Sequence, residues 1–575
     1  MKKIYLIYGA IAIIFIIYLI FTKSNNHLKI NNELGKNIYE IYGYDEIYNV
    51  KNSKKIERII ENKFSRFNTL KNPLVIYNAY GTNKLSLNVY FYTKENSKIQ
   101  YNISAENVND FKIEVYEKEE YTKKHEFQII GLISGKKNII NISSEAKDGK
   151  IENYEFEVNT PEFEVPKIEK ISETNDKKSS SGLYVLLGTL KKDDTTTDDI
   201  FLSDDYGNIR GIVPISNTIL DNKFASNDTA DDFIVYKDGL YYNISTTTIT
   251  KINNQGKVED LYSIEGYSKH HDFKIYDDKI FILGNKNNSK TGEDMIVIYD
   301  MKSKRIEKVL DLKEIVSEIY NKYIKGKNIE DWIHINSIDV KNDEILISSR
   351  ELSSVFKITN IYEKAEIEYI IGPKEIYEKT RLKDKVLNKK NNFEIQLGQH
   401  TAFFVGDNEI GLYNNGYGNS SSVYWIDWRK YGKDRIDRIE KSYYYLYEVE
   451  ENKKEVSLKQ IIEVKPSPFM SGSSINDDNI IVSSRKSKYL GEFSKDGQKI
   501  QEYSLDRYCY RIKKYTFKGF WFNNSYFKSC RNDWWSMANT IEYIQQTWRV
   551  EIHIAIWETI DNIKMTKNLE KQANV

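Results

Sequence analysis

Three short histidine-containing segments hold the residues best suited to chemistry. Four of the seven histidines in this 575-residue chain lie in HHDF at 270–273, HINS at 334–337 and QHTAFF at 399–404. His271, His334 and His400 each begin a short strand, a polar turn and a second strand, so they occupy one position in a repeat of about 65 residues. Repeats of several short strands are typical of propeller blades, whose innermost strands line a central channel. The spacing therefore predicts three imidazoles meeting in one channel.

Arg350 ends the strand that follows His334. In an antiparallel hairpin the second strand returns to the level at which the first began, so Arg350 is predicted beside His334. Its planar guanidinium can bind two oxygens of one anion. Three histidines and one arginine predict a site for a tetrahedral oxyanion, such as a sulfate or phosphate ester.

Other interpretations of these residues remain. A single strand histidine is more often a structural hydrogen-bonding group, and a single arginine is more often half of an ion pair. Three imidazoles could also bind zinc or another divalent ion, although the fixed charge of Arg350 favours an anion. We therefore expect no metal. The chain also lacks a complete GxxxxGK loop, so no nucleotide cofactor is expected.

Charge and the N-terminus limit partners and location. The formal net charge is +0, which gives no basic field for nucleic acid. Lys2 and Lys3 precede an apolar run from Ile4 to Thr22 that is long enough to cross a bilayer. No small-residue cleavage site follows, so we expect an uncleaved single-pass anchor in the cell membrane with an extracytoplasmic catalytic domain. The alternative is a secreted or periplasmic protein after signal cleavage.

Strand alternation predicts an all-β chain. The predicted parts are a signal anchor at 1–24, a stalk or linker at 25–70 with a helix at Lys54–Phe64, a small β-sandwich at 71–165, a six-bladed β-propeller at 166–528, and a C-terminal extension of unassigned structure at 529–575. A helical pattern at Asp311–Asn328 interrupts the strands and is predicted near the channel mouth. The sequence leaves open whether the two cysteines, Cys509 and Cys530, are bonded.

The histidine motifs also resemble a known family. HHDF, DWIHINSID followed by ISSRELSSVFKI, and GQHTAFF resemble motifs of the bacterial arylsulfate sulfotransferases, and NAYGTNKLSL at 78–87 is similar to a motif in that family's N-terminal β domain. The resemblance covers roughly residues 70–525. It implies a six-bladed propeller that moves a sulfuryl group from a phenolic sulfate ester to an acceptor phenol, without a nucleotide donor or other cofactor.

The resemblance also implies roles for individual residues. His400 corresponds to the nucleophile that is transiently sulfurylated, while His271, His334 and Arg350 correspond to sulfate-binding and transition-state-stabilising groups. Asn336 is expected as a further donor to the substrate, and strand alternation is expected to turn His270 away. Which flanking histidine moves the proton stays open. The chain lacks the short propeller disulfide of Gram-negative relatives, and its last 45 residues do not match the expected ending; a homodimer is a further expectation.

Two competing functions remain from the sequence. A metal-dependent propeller lyase or hydrolase would hold an ion at the three histidines. A non-catalytic surface binding propeller would use the same channel residues only to hold a ligand. Bound metal and turnover of an aryl sulfate would distinguish these functions from sulfuryl transfer.

Overall fold

The computed structural model describes residues 27–174, 178–188, 190–192, 195–197, 199–215, 232–431 and 436–523. The predicted anchor at 1–24, the extension at 529–575 and Cys530 lie outside these ranges. Within them, no helix has both the length and the apolar character needed to cross a membrane.

The first domain is a mixed eight-stranded sheet in which one long strand, β4 (Ser86–Ala105), pairs with four others. Its strands are β1 (Leu28–Ile30), β2 (Ile38–Ile41), β3 (Leu74–Tyr77), β4 (Ser86–Ala105), β5 (Val108–Glu114), β6 (Thr122–Ile130), β7 (Lys137–Ala146) and β8 (Ile151–Asn159). The order is β1-β2-β3-β4-β7-β8, and β5 and β6 also pair with β4. The first part of β4 pairs with β3 and β6 and the second with β5 and β7. Alternate residues of β7 are buried, as the sequence pattern predicted.

The predicted stalk at 25–70 is wrong for the described part of that range. Strands β1 and β2 extend the first sheet, with β2 parallel to β3. Helix α1 (Val50–Lys63), close to the predicted helix at Lys54–Phe64, begins at Asn49, whose side chain accepts from two backbone N–H groups. The apolar face of α1, including Ile56 and Ile60, is buried in a cluster with residues of the sheet. A free stalk would have left this face in water.

Six sheets in the described residues form the six predicted blades. From the innermost strand outward they are β36 (Arg511–Tyr515), β10 (Leu183–Leu187), β13 (Ile200–Ser203) and β14 (Ile209–Val213); β15 (Phe233–Tyr236), β16 (Gly239–Asn243), β17 (Thr248–Ile252) and β18 (Val258–Ser263); β19 (Tyr267–Tyr276), β20 (Lys279–Lys286), β21 (Met295–Asp300) and β22 (Arg305–Asp311); β23 (Ile335–Lys341), β24 (Glu344–Ser349), β25 (Ser354–Thr359) and β26 (Glu366–Ile371); β28 (His400–Phe404), β29 (Glu409–Asn414), β30 (Ser442–Glu450), β31 (Glu455–Val464) and β27 (Asn388–Lys389); and β32 (Gly472–Asn476), β33 (Asn479–Ser484), β34 (Tyr489–Phe493), β35 (Lys499–Leu505) and β9 (Ile168–Glu173). A short hairpin joins β11 (Leu190–Lys192) and β12 (Thr195–Thr197).

The ring is closed at two places. Strand β36, the last strand described, pairs antiparallel with β10 and becomes the innermost strand of the first blade. Strand β9, which precedes the first blade in sequence, pairs with β35 at the outer edge of the sixth. The repeat unit that begins at Leu183 therefore receives its inner strand from the opposite end of the domain.

A helical insertion joins the third and fourth blades. It comprises α2 (Leu312–Ile315), α3 (Ser317–Ile319) and a π-helical turn at Tyr320–Ile324, within the predicted helical segment. The Asp311 side chain caps α2 by accepting from the Lys313 N–H. Trp332 follows, fully buried, with its indole N–H donating to Asp294 at 3.0 Å. This packing fixes the approach to His334. Short 3-10 helices lie at Lys374–Ile376, Arg381–Lys385, Trp428–Tyr431, Ile436–Arg438 and Glu451–Lys453.

Candidate active site

The inner strands of the third, fourth and fifth blades carry the three histidine segments, and each strand has a register shift there. His271, His334 and Thr401 have φ angles of 52°, 46° and 51°, in the left-handed region. Such a bulge changes which way the following side chains point and strains the backbone, a feature common near functional sites. The same distortion in three successive blades brings polar side chains to one level of the channel.

His270 does not turn away from this cluster, so the prediction from strand alternation is wrong. His270 and His271 are both buried, and their Nδ1 atoms are 3.0 Å apart. The positive φ of His271 breaks the alternation that a regular strand would impose. Both rings therefore belong to the same constellation.

His400 is held in one tautomer by a single amide. Its Nδ1 lies 2.7 Å from Oδ1 of Asn415. The Nδ2 group of Asn415 donates to the backbone oxygens of Ser467 and Met470, at 2.7 and 2.9 Å, which fixes the orientation of the amide. Oδ1 must then accept, so His400 carries its hydrogen on Nδ1. The lone pair of the neutral ring is on Nε2.

The surroundings of His400 keep it neutral. Burial is the main cause that lowers the pKa of His400, and the positive charges of His334, Arg350 and Arg511 lower it further. Although the hydrogen bond to Asn415 opposes them, the pKa falls to about 3. The ring is therefore unprotonated at neutral pH, and three cationic groups act on it.

His334 has the opposite character. Its Nδ1 lies 2.7 Å from Asp331 Oδ2 and 2.6 Å from Glu293 Oε2. Burial would lower the pKa of His334, but hydrogen bonds and attraction from these two carboxylates raise it to about 9. Burial alone would likewise raise the pKa of Glu293, yet the nearby histidines hold it well below its usual range. His334 is thus an imidazolium whose Nδ1–H is engaged and whose Nε2–H remains as a donor.

His271 is the third ring of the cluster. Its ring centroid is 4.9 Å from that of His334, and its Nδ1 lies 3.9 Å from Glu293 Oε1. Burial, together with repulsion from the neighbouring histidines, lowers the pKa of His271 well below its usual value despite the attraction of Glu293. This ring is neutral next to a charged one.

Arg350 lies at the level that the hairpin argument predicted, since its backbone N–H donates to the His334 oxygen at 3.0 Å. Its side chain is 35% exposed, and its guanidinium binds Glu351 through Nε, at 2.9 Å, and through Nη2. Asp331 lies further away, with Oδ2 3.8 Å from Nη2. Buried Glu351 also accepts from the Ser420 hydroxyl. Arg350 is therefore both half of an ion pair and a group at the histidine cluster.

Asn336 serves first to join two blades. It is fully buried, and its Nδ2 donates to the Gln399 oxygen at 2.9 Å. Its backbone oxygen accepts from Nη2 of Arg511 at 3.3 Å, and Arg511 also pairs with Asp272 at 3.3 Å. One amide hydrogen of Asn336 is thus committed to holding the fourth and fifth blades together beside His400.

The sequence interpretation missed Glu293, Asp331, Glu351, Asn415 and Arg511. Asn415 could have been found, because it follows the second strand of its hairpin as Arg350 does. Asp331 and Glu351 adjoin predicted residues along the chain, but nothing in the sequence marks their carboxylates as partners. Glu293 lies in the loop between β20 and β21, and it is not part of the regular spacing that relates the three histidine segments. Arg511 enters from β36, outside the order of the repeats.

Comparisons with known proteins agree with this architecture. The family model described as Arylsulfotransferase (ASST) matches residues 168–504, and the model described as Arylsulfotransferase Ig-like domain matches residues 74–161. A search of curated protein sequences finds no match.

Similarity to solved structures is low. A Bacteroides fragilis protein described as a 6-phosphogluconolactonase is 10% identical, with a TM-score of 0.33, and the match covers 73% of this chain and 99% of that one. An auxiliary nutrient binding protein from Bacteroides thetaiotaomicron is 12% identical, with a TM-score of 0.28 and coverage of 73% and 81%. A streptogramin B lyase is 11% identical, with a TM-score of 0.27 and coverage of 59% and 87%. At these scores the similarity carries no argument about function.

Proposed function

Because the chain belongs to the arylsulfotransferase family, we propose that it transfers a sulfuryl group from a phenolic sulfate ester to an acceptor phenol through a sulfohistidine at His400. The observation that carries this proposal is the hydrogen bond of 2.7 Å between Nδ1 of buried His400 and Oδ1 of Asn415, which leaves the lone pair of the ring on Nε2. A neutral imidazole nitrogen is a nucleophile, whereas an imidazolium is not.

The first half-reaction makes one bond and breaks one. The Nε2 lone pair of His400 attacks the sulfur of the ester, an S–N bond forms, and the bond between sulfur and the aryl oxygen breaks. The electron pair leaves with the phenolate. Burial, together with repulsion by the neighbouring cations, already disfavours protonation of His400, so the nucleophile requires no deprotonation before attack.

The proton for the leaving group comes from His334. Of the two flanking histidines, the raised pKa of His334 and the lowered pKa of His271 favour His334 as the general acid. Its Nε2–H passes to the departing phenolate. In the second half-reaction the acceptor phenol returns a proton to His334, its oxygen attacks sulfur, and the S–N bond breaks. The enzyme regains its starting state, so protons and charge balance over the cycle.

Arg350, His271 and Asn336 stabilise the sulfuryl oxygens in this proposal. The separation of 3.8 Å between Arg350 and Asp331 is long for an ion pair, so an oxygen of the ester can replace that carboxylate. Glu351 meanwhile keeps the guanidinium in place through Nε and Nη2. A planar donor fixed in this way stabilises charge as the bonds rearrange, at little cost in reorganisation.

The test uses the full chain with a chromogenic aryl sulfate, with and without added phenol. We expect parallel double-reciprocal plots, slow turnover without phenol, and one sulfuryl group on the peptide containing Gln399, His400 and Thr401 after mixing with donor alone. Intersecting plots would favour a ternary complex, and hydrolysis unaffected by phenol would favour a sulfatase. The absence of any turnover would favour a non-catalytic binding propeller.

Membrane attachment is a separate part of the proposal. The apolar run Ile4–Phe21 supports an uncleaved anchor with the propeller outside the cytoplasm. Full-length protein should fractionate with membranes, while a chain starting near Lys29 should be released into solution with its activity. Recovery of a mature form lacking the run would contradict the anchor and support signal cleavage.

A further inference from the structure

A second constellation of ligand-type side chains adjoins the proposed transfer site. It consists of His270, His271 and Glu293, whose potential ligand atoms all lie within 4.8 Å of one another. The two histidines are consecutive in the chain, yet their Nδ1 atoms face each other at 3.0 Å. The left-handed backbone at His271, with φ of 52°, makes this arrangement possible for adjacent residues. All three side chains come from the third blade.

The distances are close to those of a metal site. Zinc binds imidazole nitrogen at about 2.0–2.1 Å, so two such nitrogens on a tetrahedral ion lie about 3.3 Å apart. The observed 3.0 Å is near this value. Glu293 Oε1 is 3.9 Å from the His271 Nδ1, so a shift of less than about 1 Å would bring the carboxylate into range. Two imidazoles and one carboxylate form a donor set that suits borderline first-row divalent ions.

The surrounding charges also permit a cation here. The charge of Arg350, which should repel one, is partly offset by its two contacts with Glu351. Glu293 and Asp331 provide two carboxylates against the single imidazolium of His334. The objection that the sequence raised against a metal, the fixed charge of Arg350, therefore applies less strongly to this side of the cluster.

We propose that His270 Nδ1, His271 Nδ1 and the Glu293 carboxylate bind one divalent transition-metal ion, with Zn²⁺ as the best fit. The hydrogen now shared between the two Nδ1 atoms moves to Nε2 of the ring that carries it, so that both rings stay neutral and both Nδ1 lone pairs face the ion. Solvent molecules complete the coordination. This site differs from the single-ion site at His271, His334 and His400 that the sequence left open, because it uses only the third blade and leaves His400 unbound.

The ion acts as a reversible inhibitor, a consequence that rests on the proposed function. Oε2 of Glu293 lies 2.6 Å from Nδ1 of His334 and orients that ring. Coordination withdraws that carboxylate and ties His271 to the metal, so both flanking histidines lose the contacts that sulfuryl transfer uses. A chelator reverses the effect because no covalent bond is broken.

Binding is tested first, independently of turnover. Full-length chain freed of metal is titrated with Co²⁺, whose visible d–d absorption reports tetrahedral nitrogen and oxygen ligands, and Zn²⁺ is measured by equilibrium dialysis. We expect one ion per chain, with affinity lowered at least tenfold in His270→Gln and in Glu293→Gln. The matched control is His125→Gln, because His125 is also buried and pairs with Glu117 at 2.9 Å but has no second histidine beside it. Absence of binding, or equal binding by His270→Gln and His125→Gln, would overturn the site.

A measurement on the wild-type chain tests the ligand set even if the variants do not fold. X-ray absorption at the zinc edge should show two imidazole ligands and oxygen donors around the bound ion. A spectrum with no imidazole or with one imidazole would overturn the proposed ligand set, whatever the variants do.

Inhibition is tested separately with the aryl sulfate assay. Zinc should lower turnover of the wild-type chain and of His125→Gln at least tenfold, with recovery on adding a chelator, and the ratio of rates with and without zinc should approach one in His270→Gln. If the chain has no turnover, the proposed function fails while the binding result stands. If zinc binds as proposed without changing the rate, the inhibitory role is overturned.

Discussion

His334 and His400 occupy the same position in successive blades but differ in charge. Carboxylates of Asp331 and Glu293 raise the pKa of His334 to about 9, whereas burial lowers that of His400 to about 3 beside the neutral Asn415 amide. Both rings begin or directly precede an inner strand and are almost fully buried. The strand therefore fixes where an imidazole lies, and the loops that contact it fix whether it can donate or accept a proton.

The partners of these two rings come from different places. Asp331 lies three residues before His334, and Glu293 comes from a loop of the preceding blade. Asn415 follows the strand that pairs with the strand of His400. A repeated scaffold can thus hold a charged and a neutral imidazole side by side, because each blade adds its own loop residues around one shared position.

Replacing His400 should have the largest effect. His400→Asn keeps a polar side chain of smaller size but cannot form the covalent intermediate, so the aryl sulfate transfer rate should fall about 10³-fold or more. The rate is measured with saturating phenol, and thermal unfolding provides the control for folding. Activity above a few per cent of wild type would show that His400 is not the nucleophile. The proposed division of roles between His400 and His334 would then be wrong.

Arg350→Lys should come next. Lysine keeps the charge but loses the planar fork that holds both Glu351 and an ester oxygen, so kcat/KM should fall about 10²-fold. A matched control is Arg381→Lys, since Arg381 is exposed and its ion-pair partner is Glu318 rather than Glu351. Near-normal rates in Arg350→Lys would contradict anion binding by this guanidinium.

Asn415→Asp should make His400 resemble His334. A carboxylate beside Nδ1 raises the pKa of His400 above its present value of about 3, so the protonated, non-nucleophilic ring becomes populated as pH falls. We expect a loss of about tenfold at mildly acid pH relative to neutral pH, where wild type stays flat. The pH profile of kcat is the measurement, taken well below the unfolding temperature because two backbone oxygens lose their donor. An unchanged acidic limb would exclude Asn415 as the residue that positions His400.

Glu293→Gln should make His334 resemble His400, with a smaller effect. Since Glu293 helps to raise the pKa of His334, its removal lowers that pKa, and Asp331 retains part of the effect. In wild type the general acid is lost as pH rises through about 9; in Glu293→Gln the same decline should begin at lower pH. We expect a rate reduced severalfold near pH 8 and a small change near pH 6. Coincident profiles would mean that His334 is not the acid.

The sequence predicts positions better than protonation states. The spacing of His271, His334 and His400 predicts three rings in one channel, and the hairpin level predicts Arg350 beside them. The prediction of a stalk was wrong because the apolar face of α1 packs against the first sheet. The prediction that the His270 side chain points away from the cluster was wrong because the strand has a bulge there, which breaks the regular alternation of side chains. Such a bulge depends on contacts between strands. Glu293 could not be predicted, since a loop carboxylate becomes a partner only when the blades are assembled.

The double closure of the ring has a consequence for biosynthesis. The four histidines of the channel lie between residues 270 and 400, but Arg511, which acts on His400 and contacts Asn336, arrives with the last inner strand. A chain growing from its N-terminus therefore exposes all four of these histidines before it can close the channel around them. The finished environment of His400 appears only after residue 515 has left the ribosome and docked against β10. The surroundings of His400 therefore stay incomplete until almost all of the propeller exists.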